Sequence, residues 1–349
     1  MIKNITLSSN DKLSLISNIS TMLNAGIPIL EIIDSMLDEA KGKQKIILTK
    51  LKEDLNQGQS IYQSFANFPK TFDPVIINLI KAAEEAGTLE KTLKDITLGI
   101  KKNIEFVDKI KAALIYPILV FIIFIGVILV ILVFVIPRVA TVFTQLKIPL
   151  PLPTRILIFS SKVFVGYYPI VIAVTIMLTI ILLLIYRAKK VLLLNLILSL
   201  PLLSRLAKEI DLTQFTRTMS LVLMAGMPIT DALDLSQNIV NKLEIKQAIS
   251  NCLKLVSSGK KLTNGLNKAK NIFPTIMIVI TEAGEKSGSL ENSMNELAEH
   301  FDLRVSQTLK TLVALFEPLL LIIIGLLVGG VMLAIIAPIY GLISQIGAR

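Results

Sequence analysis

Two kinds of stretch alternate along the chain. Over roughly the first hundred positions apolar residues recur at every third or fourth place, as in Leu13, Ile16, Ile19, Met22 and Leu23, the spacing of one helix face. Short helices are predicted at about residues 10–25, 28–40, 43–57, 59–67, 73–86 and from 89 into an apolar run, and no strand alternation is sustained. That run differs in kind: every position between Pro117 and Pro137 is aliphatic, Phe or Gly, enough to span a hydrocarbon core of about 30 Å. From Ile170 to Tyr186 only Thr175 and Thr179 interrupt a second run, and from Leu319 to Ile336 a third holds no polar residue. Three membrane spans are expected, separated by solvated helical blocks.

The pattern repeats. Leu23, Ala25-Gly26, Pro28 and Ile29 recur 200 positions later as Leu223, Ala225-Gly226, Pro228 and Ile229. Glu84, Gly87 and Leu89-Glu90 recur 201 positions later as Glu285, Gly288 and Leu290-Glu291, and Gly58, Phe72, Pro117 and Pro137 find Gly259, Phe273, Pro318 and Pro338 at the same offset. Two direct copies of a soluble block followed by one span would fall on opposite sides of a membrane; the unpaired middle span returns the chain and puts both blocks on one side. Inverted-repeat transporters instead duplicate bundles of spans.

Within each copy the small residues punctuate helices. Asn10 or Asp11 can cap the first helix, Gly26 and Gly226 suit a left-handed C-terminal position, and Pro28 and Pro228 suit the first turn that follows. Gly87 and Gly288 can end one helix where Thr88 and Ser289 cap the next, with Glu90 and Glu291 in its first turn. Glu84 and Glu285 sit near a helix C-terminus, where a carboxylate is mildly unfavoured, so either a bond to a neighbouring helix or loop or a contact with a partner is open to them.

Charge orients the spans. The flanks before the first, after the second and before the third carry eleven basic residues, among them Lys109, Lys111, Arg187, Lys190, Arg304 and Lys310, against five beyond the membrane, including Arg138 and Arg349. Both helical blocks and the N-terminus are therefore expected in the cytoplasm. The alternating prolines at 149, 151 and 153 favour a stiff linker outside. No cleavable leader is expected, since the first long apolar run comes late. The net charge of +10 is spread among acids with few aromatics, which points to membrane topology and not to nucleic acid.

Candidate chemistry is sparse. One cysteine, Cys252, and one histidine, His300, cannot build a disulfide framework or a thiolate and imidazole metal cage, and no cofactor or catalytic residue is expected. Ser257-Ser258-Gly259-Lys260-Lys261 lacks the earlier glycine and preceding strand of a phosphate loop. Gly325, Gly329 and Gly330 repeat at helical spacing in the third span, where backbones of neighbouring spans or of neighbouring subunits can approach, with Glu317 at its edge.

These residues carry a resemblance. The run Phe215-Thr216-Arg217 to Ala225-Gly226-Met227-Pro228-Ile229, followed by Gly284-Glu285-Lys286-Ser287-Gly288-Ser289-Leu290-Glu291, is similar to the duplicated domain of type II secretion F proteins, relatives of type IV pilus platform and competence-pseudopilus proteins. The resemblance implies an all-α membrane protein: two direct-repeat cytoplasmic six-helix bundles, at 1–112 and 188–311, plus three transmembrane helices at 113–137, 168–187 and 312–340. A loop at 138–167 and a tail at 341–349 would lie outside. It further implies a multi-pass inner-membrane homo-oligomer that, with membrane lipid and other inner-membrane assembly proteins, meets a hexameric assembly ATPase and guides pilin or pseudopilin into a filament. An oligomeric channel or permease is the alternative. The sequence departs from the family pattern in two motifs: Leu15-Ile16-Ser17 stands where the second copy has Phe215-Thr216-Arg217, and Ala83 where it has Gly284. Gly26, Pro28, Glu84, Gly87, Arg217, Gly226, Pro228, Glu285 and Gly288 are the candidate structural or partner-contact residues.

Overall fold

The computed structural model describes residues 4–145 and 201–346, with 155, 158–159, 161–163, 166 and 177 between them. The expected second span at 168–187, apart from Met177, and the proline linker lie outside the described residues. All regular elements among the described residues are helical.

A first series comprises α1 (Ser9–Asn24), α2 (Ile29–Glu39), α3 (Gly42–Asn56), α4 (Ile61–Ala66), α5 (Pro74–Ala86) and α6 (Leu89–Val130). A π-helical turn at Ile131–Val135 joins α6 to α7 (Ile136–Gln145). A second series follows in the same order: α8 (Pro201–Met224), α9 (Ile229–Gln237), α10 (Leu243–Ser257), α11 (Leu262–Lys268), α12 (Thr275–Ser287) and α13 (Leu290–Ile346).

The helices form where apolar spacing and end signals agree. Ser8 caps α1 by accepting from the Asp11 amide, and Asp73 caps α5 by accepting from Ile76, with Pro74 in the first turn where no N–H is needed. The three- and four-residue rhythm then places Leu15, Ile16 and Ile19 of α1 in the core with Ile32, Ile33, Leu48 and Leu51. Phe65 and Phe72 meet there, ring centroids 4.5 Å apart. The second series buries Leu212, Phe215, Met219 and Val222 of α8 against Leu233, Ile249, Phe273 and Met277.

Residues 1–110 and 205–307 make one compact unit, and residues 111–204 and 308–349 a second. The helical stretches Leu89–Arg138 and Leu290–Leu333 each include an apolar window, the two among the described residues long enough to cross a membrane. Ile115, Ile122, Leu321 and Leu326 point outward, an apolar surface that fits hydrocarbon and not water. Ser161 Oγ donates to the Leu132 carbonyl at 2.6 Å, satisfying an acceptor within the π turn. No break separates soluble from apolar parts: α6 runs on through Pro117, and α13 is a single helix of 57 residues.

Candidate functional site

Each corner is built by a glycine. Gly26 and Gly226 have φ of 80° and 79°, a left-handed conformation that costs a residue with a Cβ more than glycine. Their N–H groups donate to Leu23 and Leu223, both at 2.9 Å, and the next amides reach back to Met22 and Val222. Pro28 and Pro228 sit one place earlier than expected, as N-cap residues with extended ψ, and their carbonyls accept the first helical bonds from Ile32 and Ala232.

Glu84 and Glu285 reach across to another helix. The two Glu84 oxygens accept from the Ile61 and Tyr62 amides, at 2.8 and 3.2 Å, at the start of α4. Glu285 accepts from the Leu262 and Thr263 amides and from the Thr263 hydroxyl, at the start of α11. Both helices are short and begin with amides that lack an intrahelical partner, which a carboxylate from another helix satisfies as a local N-cap would. Gly87 and Gly288, with φ of 65° and 70°, end the helices that carry these glutamates. A Cβ at Gly284 would lie 2.7 Å from that of Ser293 and 3.2 Å from the Leu290 Cα, so α12 and α13 approach more closely there than an alanine permits.

Arg217 stands in a charged seam between the two series. Its Nη2 lies 3.5 Å from Asp302 and its Nη1 donates to the Lys102 carbonyl at 3.4 Å. The guanidinium carbon is 5.1 Å from the centroid of the buried Phe106 ring. Burial lowers its pKa, opposed by Asp302, Glu105 and Glu299, so its charge is held by neighbours in place of water. Lys102 pairs with Glu299 and Lys109 with Asp302, each at 3.3 Å. Beside the seam is a cavity of about 300 Å³ lined by Lys12, Asp73, Ile76, Asn103, Gln214 and Arg217. Leu221 fills the space over Gly99, where an added Cβ would lie 3.1 Å from its Cδ. A groove of about 450 Å³ separates Asn78, Lys81 and Glu85 from the Gly226–Pro228 corner and Asp231.

Sequence reasoning singled out Arg217 but missed its partners, which lie 85 and 115 positions away. It also missed Asp211, buried and accepting from the Asn241 and Lys242 amides ahead of α10, and Asp54, paired with Lys50 at 2.6 Å and bonded by Asn67. Only an aspartate on an otherwise buried helix face could have flagged either.

Burial pushes the Cys252 thiol up to about 12, which makes it unreactive. Arg304 pairs with Glu209 at 3.8 Å. A Cβ added at Gly325, Gly329 or Gly330 would meet no described atom within 4 Å. No group of three metal-ligating side chains occurs among the described residues.

The comparison that decides the family matches both series. A family model for the type II secretion system protein F covers residues 15–137 and again 215–338. The chain belongs to this family. It is 28% identical over 332 residues to the type 4 fimbrial assembly protein PilC of Pseudomonas putida, covering 94% of this chain and 82% of that one. It is 27% identical over 330 residues to the type IV pilus assembly protein PilC of Myxococcus xanthus, covering 94% and 79%. With the type II secretion system protein F of Vibrio cholerae it shares 24% over 336 residues, covering 95% and 82%. In this F-family chain both family matches run from the solvated helices into the apolar part of α6 or α13, so Gly26, Glu84 and Gly87 and their counterparts Gly226, Glu285 and Gly288 all fall within matched residues.

Proposed function

We propose that this F-family chain is a non-enzymatic platform in the inner membrane of a type II secretion or type IV pilus machine. It couples a cytoplasmic assembly ATPase to the addition of pilin or pseudopilin subunits. The observation that carries the reading is the double family match, each half joining a soluble helical series to an apolar helix. The two series are copies of one six-helix bundle; the same element order and the same left-handed glycines at 26 and 226, 58 and 259, and 87 and 288 support this. Compactness supports three spans. Residues 1–110 and 205–307 form one unit and so lie on one side of the membrane, which requires an even number of crossings between them. The first is α6, and the apolar run at 168–187 supplies the second.

The test is affinity purification of the full chain from its native membrane, with deletion of its gene in parallel. A platform retains the hexameric ATPase or a pilin, and its deletion abolishes the filament while leaving pilin synthesis intact. A chain that retains neither, and whose loss leaves the filament in place, is no platform; solute uptake lost in that case favours a channel or permease.

A further inference from the structure

The seam between the two series joins unlike faces. The first series offers Val75, Asn78 and Ala82 on α5 with Gly99 and Lys102 on α6. The second answers with Arg217, Thr218 and Leu221 on α8, the Ala225–Pro228 corner, and Glu299 on α13. This is a head-to-tail contact, which leaves one face of each kind unused in a chain of two copies.

The unused faces are identified by the repeat. Counterparts of the first face are Ile276, Val279 and Ala283 on α12 with His300 and Leu303 on α13; counterparts of the second are Ser17, Asn18 and Thr21 on α1, the Ala25–Pro28 corner, and Leu98 on α6. Their exposure differs as an unmet interface requires. Val75, which lines the cavity beside the seam, is 6% exposed, whereas Ile276 is 40% exposed, and Val279, at 55%, replaces the polar Asn78 with an apolar side chain. Leu303 is 65% exposed and Leu98 50%, and they stand where the intrachain seam has the ion pair of Lys102 with Glu299. Size is exchanged as well: Leu221 over Gly99 within the chain corresponds to the smaller Thr21 opposite the larger His300. Lys101 and Lys310, counterparts of Asp302 and Lys109, carry like charge, but both are exposed and screened by solvent.

We propose that the α12–α13 face of one chain receives the α1–α2 corner of a second copy of this chain, repeating between chains the seam that joins the two series within one. The inference rests on reading the two series as copies. A heterologous contact of this kind closes into a ring or runs on as an open row. Ile276, Val279, Leu303 and Leu98 then have a buried role in place of an exposed one.

Two differently tagged full-length chains, one carrying Leu98→Cys and the other Leu303→Cys, are co-expressed in the membrane and treated with a mild oxidant. The buried Cys252 does not compete. The expected product is a cross-linked dimer bearing both tags, absent when both chains carry only Leu98→Cys. Val279→Arg is expected to abolish the oligomer in detergent with melting unchanged, whereas Ile46→Arg, an exposed position on α3 outside the seam, leaves it intact. An oligomer that survives Val279→Arg and forms no Leu98–Leu303 cross-link overturns the proposal, as does a chain that is monomeric throughout. Either result leaves the platform reading to its own test of ATPase and pilin retention.

Discussion

A carboxylate that caps a distant helix is the most informative single residue in each series. Glu285 holds two amides and a hydroxyl at the start of α11, and bonds to a charged group are worth about 1.5–3 kcal/mol each when well formed. Glu285→Ala is therefore expected to cost about 1–3 kcal/mol, and Glu285→Gln less, because an amide oxygen still accepts. Hydrogen exchange is the direct measure: the Leu262 and Thr263 amides lose protection first, and unchanged exchange there removes the capping role. Asp95 points the other way. Burial raises its pKa, with Lys91 and Lys94 opposing, and one buried oxygen has no hydrogen-bond partner among the described residues. Both folded and unfolded chains hold its proton in acid; as pH rises the unfolded chain ionises first, so stability is lost up to the folded pKa. Asp95→Asn should accordingly raise the melting temperature modestly at neutral pH, with the gain fading as pH falls through the carboxylate range. Neither residue could be assigned from the sequence. Glu84 was singled out because it sits badly with its own helix dipole, but its partners are 22 and 23 positions away, and nothing in local spacing names them.

At the scale of elements the sequence was legible because helix ends are written locally. The first series was expected to begin at about residues 10, 28, 43, 59, 73 and 89; its helices begin at Ser9, Ile29, Gly42, Ile61, Pro74 and Leu89. Glycine at a left-handed turn and apolar spacing need no distant partner, so they survive in the linear text. Continuity was legible too: the helix expected from 89 into the apolar run is α6, which passes residue 112 without a break, as α13 passes residue 312. Two glycines separate the physical causes. No described atom lies within 4 Å of a Cβ at Gly226, so among the described residues a substitution there is resisted by backbone conformation alone. Gly226→Val should cost about 1–3 kcal/mol, while Gly226→Asn, which tolerates the left-handed region, should cost less. Gly284 is helical, so Gly284→Ala is resisted by sterics against Ser293 and Leu290, on the order of 1–3 kcal/mol despite alanine's better helix propensity. Thermal melts of the three variants should rank Gly226→Asn as mildest. If Gly226→Val melts like the parent, the corner is not under conformational constraint.

For the whole molecule, what the repeat alone could not show is that its halves share one compact unit, because the contacts that join them, such as Lys109 with Asp302, span 193 positions. That compactness sharpens the topology argument from charge into one from geometry. On the proposed topology the unit made of residues 1–110 and 205–307 lies on one side of the bilayer, and the chain between crosses it an even number of times. On the same proposed topology, Lys94, Lys101, Lys102, Lys109 and Lys111 ahead of the first crossing argue for a cytoplasmic unit. A reporter active only outside the cytoplasm should then be active when fused after Pro151 and silent when fused after Asn267. On the proposed topology, deleting residues 168–187 removes one crossing and leaves an odd number. The second series would be carried across, the Asn267 fusion would become active, and the seam of Arg217, Asp302, Lys102 and Lys109 could not form, so the truncated chain should be rapidly degraded. A deletion that leaves the Asn267 fusion silent and the protein abundant would mean that 168–187 does not cross, and the even-crossing argument would then fail at its second span.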